Sequence, residues 1–428
     1  MDLISLAQSS LRCYTDTMSD HRFSLFDRAP GSVLLPGTIS EVQEAVAASG
    51  SHAVIPWGGG TRQQLGYPPE RYDIALSLEN LDHVVDYQPD DLTVTVEAGI
   101  SLSRVQSILA ERNQRLPIEV PLPERATIGG AIATRADSLL RFSRGSVRDS
   151  LLGVTVVNHA GERVQGGGKV VKNVSGYDLP KLYCGSLGTL GVIVEATLRV
   201  VPLAESSATV LLPLPAGRNS EQALDTILTS ELSPSLLYLI GAQAAPGIVP
   251  GSHLIADAQY LVVGFDGSAE AVSWQLKTLD ASDGELEPEN GTIVRGALRD
   301  YPADFGEISC SFRILSSQVG AFLRMVEWTA ARSDFNARVV ADAAVGIMWA
   351  HFTPKSESAN FEQFSLELTD KASRCGGSFV VDKMPNSWRE RAIPVWSPIL
   401  PDINLMKRLK ETLDPPRMWN PGRFIAGI

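Results

Sequence analysis

The sequence predicts an α+β chain of two units followed by a distinct C-terminal segment. Three observations carry this. Up to about residue 205, short β-rich runs alternate with capped helices, and strand–helix–strand steps sit beside hairpin-like pairs. Over residues 204–222 glycine clusters stop, and alternating strands with longer helices begin. After about residue 386 the texture changes again, through Pro394, Pro398 and Pro401, into a helix and a Pro/Gly-rich close.

In the first unit, 38–49 reads as a helix with Thr38 or Ser40 at its cap and Val42, Ala45 and Val46 on its apolar stripe. Residues 72–79 and 92–98 alternate as strands. Residues 101–113 form a second amphipathic helix, with Ser101 or Ser103 at the cap and Leu102, Val105 and Leu109 on its stripe. Strands follow at 150–157 and 192–200. In the second unit, 222–231 and 317–331 read as helices, and 259–264, 337–350 and 377–382 as strands. The unit is expected to be a sheet with helices on one face. A last helix is expected at 402–413, capped by Asp402.

The chain has 428 residues, enough for several domains with sizeable cores. Charged residues are 20% and apolar ones 44%, which excludes a disordered chain. The net charge of −12 argues against a nucleic-acid or basic membrane-surface protein. No apolar run is long enough to span a bilayer, and the N-terminus lacks the pattern of a signal peptide. Cys13, Cys184, Cys310 and Cys375 are scattered with no metal or cluster spacing, so buried thiols in a reducing cytoplasm are expected. Six dispersed histidines give no metal site.

Glycine placement is more informative. The first cluster, Pro56-Trp57-Gly58-Gly59-Gly60-Thr61-Arg62, follows a short β-rich run. Without Cβ atoms, successive backbone N–H groups can face one anion, and a nest of this kind holds phosphate. A plain turn is the alternative. The second cluster is Pro121-Leu122-Pro123 followed by Thr127-Ile128-Gly129-Gly130-Ala131-Ile132-Ala133, with Arg144-Gly145-Ser146-Val147-Arg148 beyond. It reads either as a helix start presenting amide donors to a flat ligand or as a small-residue helix in a core. The third cluster is Gly185-Ser186-Leu187-Gly188-Thr189-Leu190-Gly191-Val192-Ile193. It suits close backbone contact or a turn between core elements. The Rossmann GxGxxG pattern fails at Gln63, and the P-loop pattern fails at Gly167.

Taken together, GGGTRQQLG, ATIGGAIA, RGSVRDSLLGV, KNVSGYDLPKLYCGSLGTLGVIVEATLRVVP and LDPPRMWNPGRF resemble the FAD-binding domain of the vanillyl-alcohol oxidase/p-cresol methylhydroxylase superfamily. KNVSGYDL and GSLGTLG are similar to its branch of smaller FAD-binding subunits of bacterial glycolate oxidases. The resemblance implies a two-subdomain PCMH-type domain over 1–205, with subdomains at about 30–100 and 101–205. It also implies an inserted α/β cap over 206–385 and a segment, 386–428, that returns to the FAD domain.

It implies that Gly58, Gly59, Gly60, Thr61 and Arg62 hold the FAD pyrophosphate, with Pro56 at the loop's entry. Pro121, Thr127, Ile128, Gly129, Gly130 and Ala133 would line the dinucleotide and the ring edge. Arg144, Gly145, Val147 and Arg148 would flank the flavin. Gly188, Val192 and Ile193 would meet the adenine and ribose end, and Asn420 and Arg423 would close the domain.

Three departures bear on function. The first glycine loop has no His or Cys, so FAD is expected to be non-covalent; the nearest histidines are His52 and His83. After residue 205 only His253 and His351 occur, which leaves no metal set and no evident His base for a hydroxy acid. Arg135 stands where small polar residues are usual.

Catalytic candidates are Lys172 and Tyr177, the first to bind a carboxylate or polarise flavin N1. The alternative is that Lys172 is solvated while Tyr177 and Asp178 brace the loop. In the cap, Arg313, Arg324, Arg338 and Trp349 are weaker candidates to meet a substrate acid.

By resemblance, the chain is an FAD-dependent oxidoreductase subunit that oxidises a 2-hydroxy acid such as glycolate or lactate. Electrons would leave to an iron–sulfur partner beside a sister flavoprotein. The alternative is an auxiliary FAD-binding subunit with catalysis in that sister. The expected location is cytoplasmic, with any membrane contact through partners.

Overall fold

The computed structural model describes residues 13–14, 21–169, 176–215, 219–280, 284–303, 306–389, 393–399 and 401–428. The chain divides into two compact units. The first runs to Ser138, then takes in Gly145–Leu203 and Ile399–Ile428; the second comprises Leu139–Arg144 and Ala204–Pro398.

The first unit holds two main sheets. In the smaller, Ser32–Leu34 and Val54–Trp57 flank Ile74–Ser77 in parallel, and Cys13–Tyr14 adds an antiparallel edge. The larger is a five-stranded antiparallel sheet in the order Val84–Gln88, Thr93–Glu97, Val192–Arg199, Leu151–Val157, Arg163–Gly167. The helix Ile39–Ser49 starts where Thr38 accepts from the Glu41 N–H at 3.2 Å, and it buries Val42, Ala45 and Val46. Leu102–Ala110 starts at Ser101 and buries Leu102, Val105 and Leu109. One apolar cluster runs through both sheets, and Met418 and Trp419 of the returning C-terminus are fully buried in it.

The second unit is an eight-stranded antiparallel sheet. Its order is Ser206–Leu214, Gln259–Gly267, Leu236–Ile240, Phe335–Asp342, Ile347–Pro354, Ile308–Arg313, Ser378–Lys383, Trp396–Ser397. All five residues of Leu236–Ile240 are buried, so the sheet is covered on both faces, not on one as the sequence suggested. The single strand expected at 337–350 is a hairpin, turning through Gly346 at φ 72°. Two boundaries also differ from expectation. Leu139 is buried among Leu236, Tyr238 and Trp349, which draws Leu139–Arg144 into this unit. Trp396–Ser397 extends its sheet, so residues 386–398 stay with it.

Buried polar groups in this unit are mostly paired. Arg295 donates from Nε to Thr209 Oγ1 (2.9 Å), from Nη1 to Asp266 (2.8 Å) and from Nη2 to Ala208 O (2.8 Å). Glu327 differs. Its Oε1 is buried without a partner among the described residues, in the space a side chain at Gly241 would occupy. Burial pushes its carboxyl up to about 7, with Arg324 opposing. In the unfolded chain the same group titrates near 4.5. From pH 4.5 to 7 the folded protein therefore keeps a proton that the unfolded chain releases. Stability falls as pH rises through that window and is flat above it, by roughly 3 kcal/mol in all. Thermal unfolding at pH 5 and pH 8 is expected to show this loss in the wild type and little of it in Glu327→Gln.

Among the described residues, no helix is long and apolar enough to cross a membrane.

Candidate cofactor site

The site starts at the end of Val54–Trp57, where the chain leaves the parallel sheet and enters Gly58–Gly66. Trp57 is fixed below the loop. Its indole N–H donates to Tyr72 Oη at 2.8 Å, and the Tyr72 hydroxyl donates to Phe23 O at 2.7 Å. Burial pushes the Tyr72 phenol well up, so it keeps the proton it donates.

The backbone N–H groups of Gly58, Gly59, Gly60 and Thr61 donate to no described residue. Four adjacent amides without an internal partner, in one loop, are what an anion nest requires. Arg423 holds this loop from below. Its Nη1 donates to Gln63 Oε1, and its Nη2 to the carbonyls of Gln63 and Leu65, each at 2.7 Å. Arg423, expected to close the domain, turns this fork onto the loop itself.

Of the two readings of the second glycine cluster, the structure matches the small-residue helix. Thr127 caps the helix Ile128–Thr134, accepting from Gly130 N at 3.2 Å. Ile128 N donates to Ile100 O and Gly129 N to Ala98 O. All three amides are consumed inside the protein, so this helix start supplies a flat wall of small residues and not anion donors. The third cluster closes the other side. Gly188 sits at φ +65°, and a Cβ there would lie 3.2 Å from Asn420 Nδ2 and 3.4 Å from Pro56 Cγ.

These three loops line one cleft, open to solvent on one side. Pro56, Gly58, Gly59, Gly60, Thr61, Arg62, Thr127, Gly129, Gly130, Ala133, Gly188, Val192, Ile193 and Arg423 all line it. Others proposed from sequence do not. Ile128 and Val147 are buried in the core, where apolar side chains gain more. Pro121, Gly145 and Arg148 lie outside the lining, and Arg144 groups with the second unit.

Arg135 is exposed at the left-handed C-cap of the small-residue helix and also lies outside the lining. Tyr177 is 92% exposed, while Lys172 lies outside the described residues. Sequence reasoning missed Leu78 and Ala98, which carry no motif and arrive through the fold.

The donor set fits FAD. Bare amides with Arg62 suit two phosphates, and Gly129, Gly130, Ala98 and Ala133 leave room for flat rings against the backbone. Residues 30–167 match the family described as FAD binding domain. The chain binds FAD.

Its relatives extend this. Over 189 residues it is 38% identical to a D-2-hydroxyglutarate dehydrogenase of Xanthomonas citri pv. viticola, covering 44% of this chain and 40% of that one. Over 436 residues it is 24% identical to glycolate oxidase subunit GlcD of Bacillus subtilis, covering 94% and 90%. Over 197 residues it is 37% identical to subunit GlcE of Escherichia coli, covering 46% and 54%. The match thus spans less than half of the first relative and nine-tenths of the second. A solved structure of alkyldihydroxyacetonephosphate synthase shares the fold, with a TM-score of 0.70 at 18% identity, covering 92% of this chain and 76% of that one. Residues 30–167 are thus an FAD binding domain, in a chain similar along most of its length to a glycolate oxidase subunit.

The residues lining this cleft include no His or Cys. His52 faces Ser49 O, and His83 faces Glu97. Acid precipitation is therefore expected to leave the flavin in the supernatant. Colour that stays in the washed pellet would show a covalent bond and refute this.

Proposed function

We propose that the chain oxidises a small 2-hydroxy acid, glycolate or lactate in type, to the 2-oxo acid, and passes the electrons to an iron–sulfur partner. The nest of bare amides in the FAD cleft is the observation that carries the reading, and the relatives named for glycolate, D-lactate and D-2-hydroxyglutarate set its substrate class. Bound FAD supplies the hydride acceptor. The loops Gly58–Arg62 and Thr127–Ala133 hold and orient it, and Arg62 adds positive charge beside the phosphates.

One observation favours a second reading, an auxiliary FAD-binding subunit whose sister performs the chemistry. The cleft is lined by Arg62 and Arg423 but by no Asp, Glu or His, so none of the usual carboxylate or imidazole bases is present there to take the hydroxyl proton. Nor is His351 available. It is 2% exposed, Nε2 faces Tyr301 O at 2.8 Å, and Nδ1 faces Ser309 Oγ at 2.9 Å. With a carbonyl on Nε2, that nitrogen carries the proton, and Nδ1 accepts from the serine.

Anaerobic addition of glycolate, D-lactate and L-lactate to the purified holoprotein separates the two. Bleaching of the flavin bands within a turnover time supports the first reading. Flavin that stays oxidised alone but bleaches once the sister subunit is added supports the second.

A further inference from the structure

We propose that Asn420 offers its side-chain oxygen as acceptor to a hydrogen-bond donor of the bound dinucleotide, and that the buried Lys410–Asp414 pair positions it. This rests on the reading of the cleft as the FAD site.

Asn420 lines the cleft and is 4% exposed. Its Nδ2 donates to Leu187 O at 2.6 Å. A carbonyl oxygen only accepts, so this bond settles which end of the amide is nitrogen. The other end, Oδ1, is buried and meets no donor among the described residues. The backbone around it is pinned. Asn420 N donates to Val54 O at 3.1 Å, and its carbonyl accepts from Arg423 N at 3.2 Å. A buried amide oxygen left unmet is destabilising, and a ligand donor relieves that cost. FAD carries such donors in both halves: an amine and ribose hydroxyls on the adenosine side, ribityl hydroxyls and a ring N–H on the flavin side.

The positioning device lies one residue away. Lys410, on the helix Ile403–Leu413, is 5% exposed. Its ammonium donates to Thr189 O (2.7 Å), Trp419 O (2.7 Å) and Asp414 Oδ2 (2.5 Å), which uses all three of its protons. Asp414, fully buried, also accepts from Met418 N (3.1 Å) and Trp419 N (2.9 Å). Thr189 belongs to the glycine loop that Asn420 touches at Leu187, and Trp419 precedes Asn420. One ammonium therefore sets the spacing between the loop and the asparagine.

The test measures dissociation constants of FAD, ADP and FMN for the apoprotein, by fluorescence and calorimetry. Asn420→Gly keeps a residue suited to the observed φ of +42° while removing the acceptor. FAD is expected to weaken about tenfold, and so is one half-molecule, ADP or FMN, while the other is unchanged. The half that weakens identifies the donor's side. Equal weakening of both halves, or of neither, overturns the proposal, because a loosened domain does not choose between them. The charge-free double variant Lys410→Met with Asp414→Asn is expected to weaken the same half. Wild-type affinity for both halves in that variant overturns the positioning role. A wild-type protein that fails to bind FAD would instead refute the reading of the cleft.

Discussion

Gly59→Ala is expected to give a protein that no longer retains FAD through purification. A Cβ at Gly59 would lie 1.7 Å from the carbonyl oxygen of Arg125 and 2.6 Å from its carbon. Neither is a flexible side-chain end. The Arg125 segment cannot step aside cheaply: Arg125 N and Ala126 N both donate to Leu122 O, and Ala126 O accepts from Leu102 N at the start of a buried helix. The displacement falls on the first glycine loop, whose bare amides must move by an ångström or more from where phosphates would meet them. Losing two amide hydrogen bonds to charged phosphates, at about 1.5–3 kcal/mol each, is expected to lower FAD affinity by about a hundredfold or more. Visible absorption of the purified variant and titration with added FAD measure it. Gly296→Ala is the matched control. It sits in the helix Pro288–Asp300 with open space around its Cβ, and is expected to stabilise by about 0.5–1 kcal/mol without touching the flavin. A Gly59→Ala protein with wild-type colour would refute the nest.

How much of this was legible in the sequence depends on where each partner lies in the chain. Local signals read well. Thr38 and Ser101 accept from amides three residues on, and such caps depend only on neighbouring residues. In the first glycine loop the candidate nest has no internal competitor for its amides, so the structure leaves that reading open. The second stayed open between amide donors and a small-residue helix because the claim on Ile128 N and Gly129 N comes from Ile100 O and Ala98 O, about thirty residues upstream. The hairpin of Phe335–Asp342 and Ile347–Pro354 reads as one run because both strands are buried on nearly every side, which erases the alternation that would separate them. Lys410 is the least legible. In the sequence it is one basic residue among Lys407 and Arg408 on an amphipathic helix. Only carbonyls at 189 and 419 explain why it is buried.

That burial sets the other large effect. Lys410→Met fills the space with a side chain of similar length but leaves Asp414, which has no exposure, without its countercharge. Met418 N and Trp419 N still donate to the carboxylate, but two backbone amides do not replace an ammonium at 2.5 Å. Removing one partner of a buried pair costs about 3–5 kcal/mol, whereas removing both charges together costs far less. The single variant is therefore expected to lower the unfolding temperature of the apo FAD domain steeply, and Asp414→Asn added to it is expected to restore most of the loss. Asp414→Asn alone should also be destabilised, since it strands a buried ammonium on two carbonyls. Burial already pushes the Lys410 pKa down against the pull of Asp414. The double-mutant cycle gives the coupling directly, provided it is read on the FAD domain's own transition, because a two-unit chain need not unfold in one step. A coupling near zero would mean that the ammonium acts through its two carbonyls alone. A large coupling means that the charge pair fastens Trp419, and with it Asn420, to the loop at Thr189.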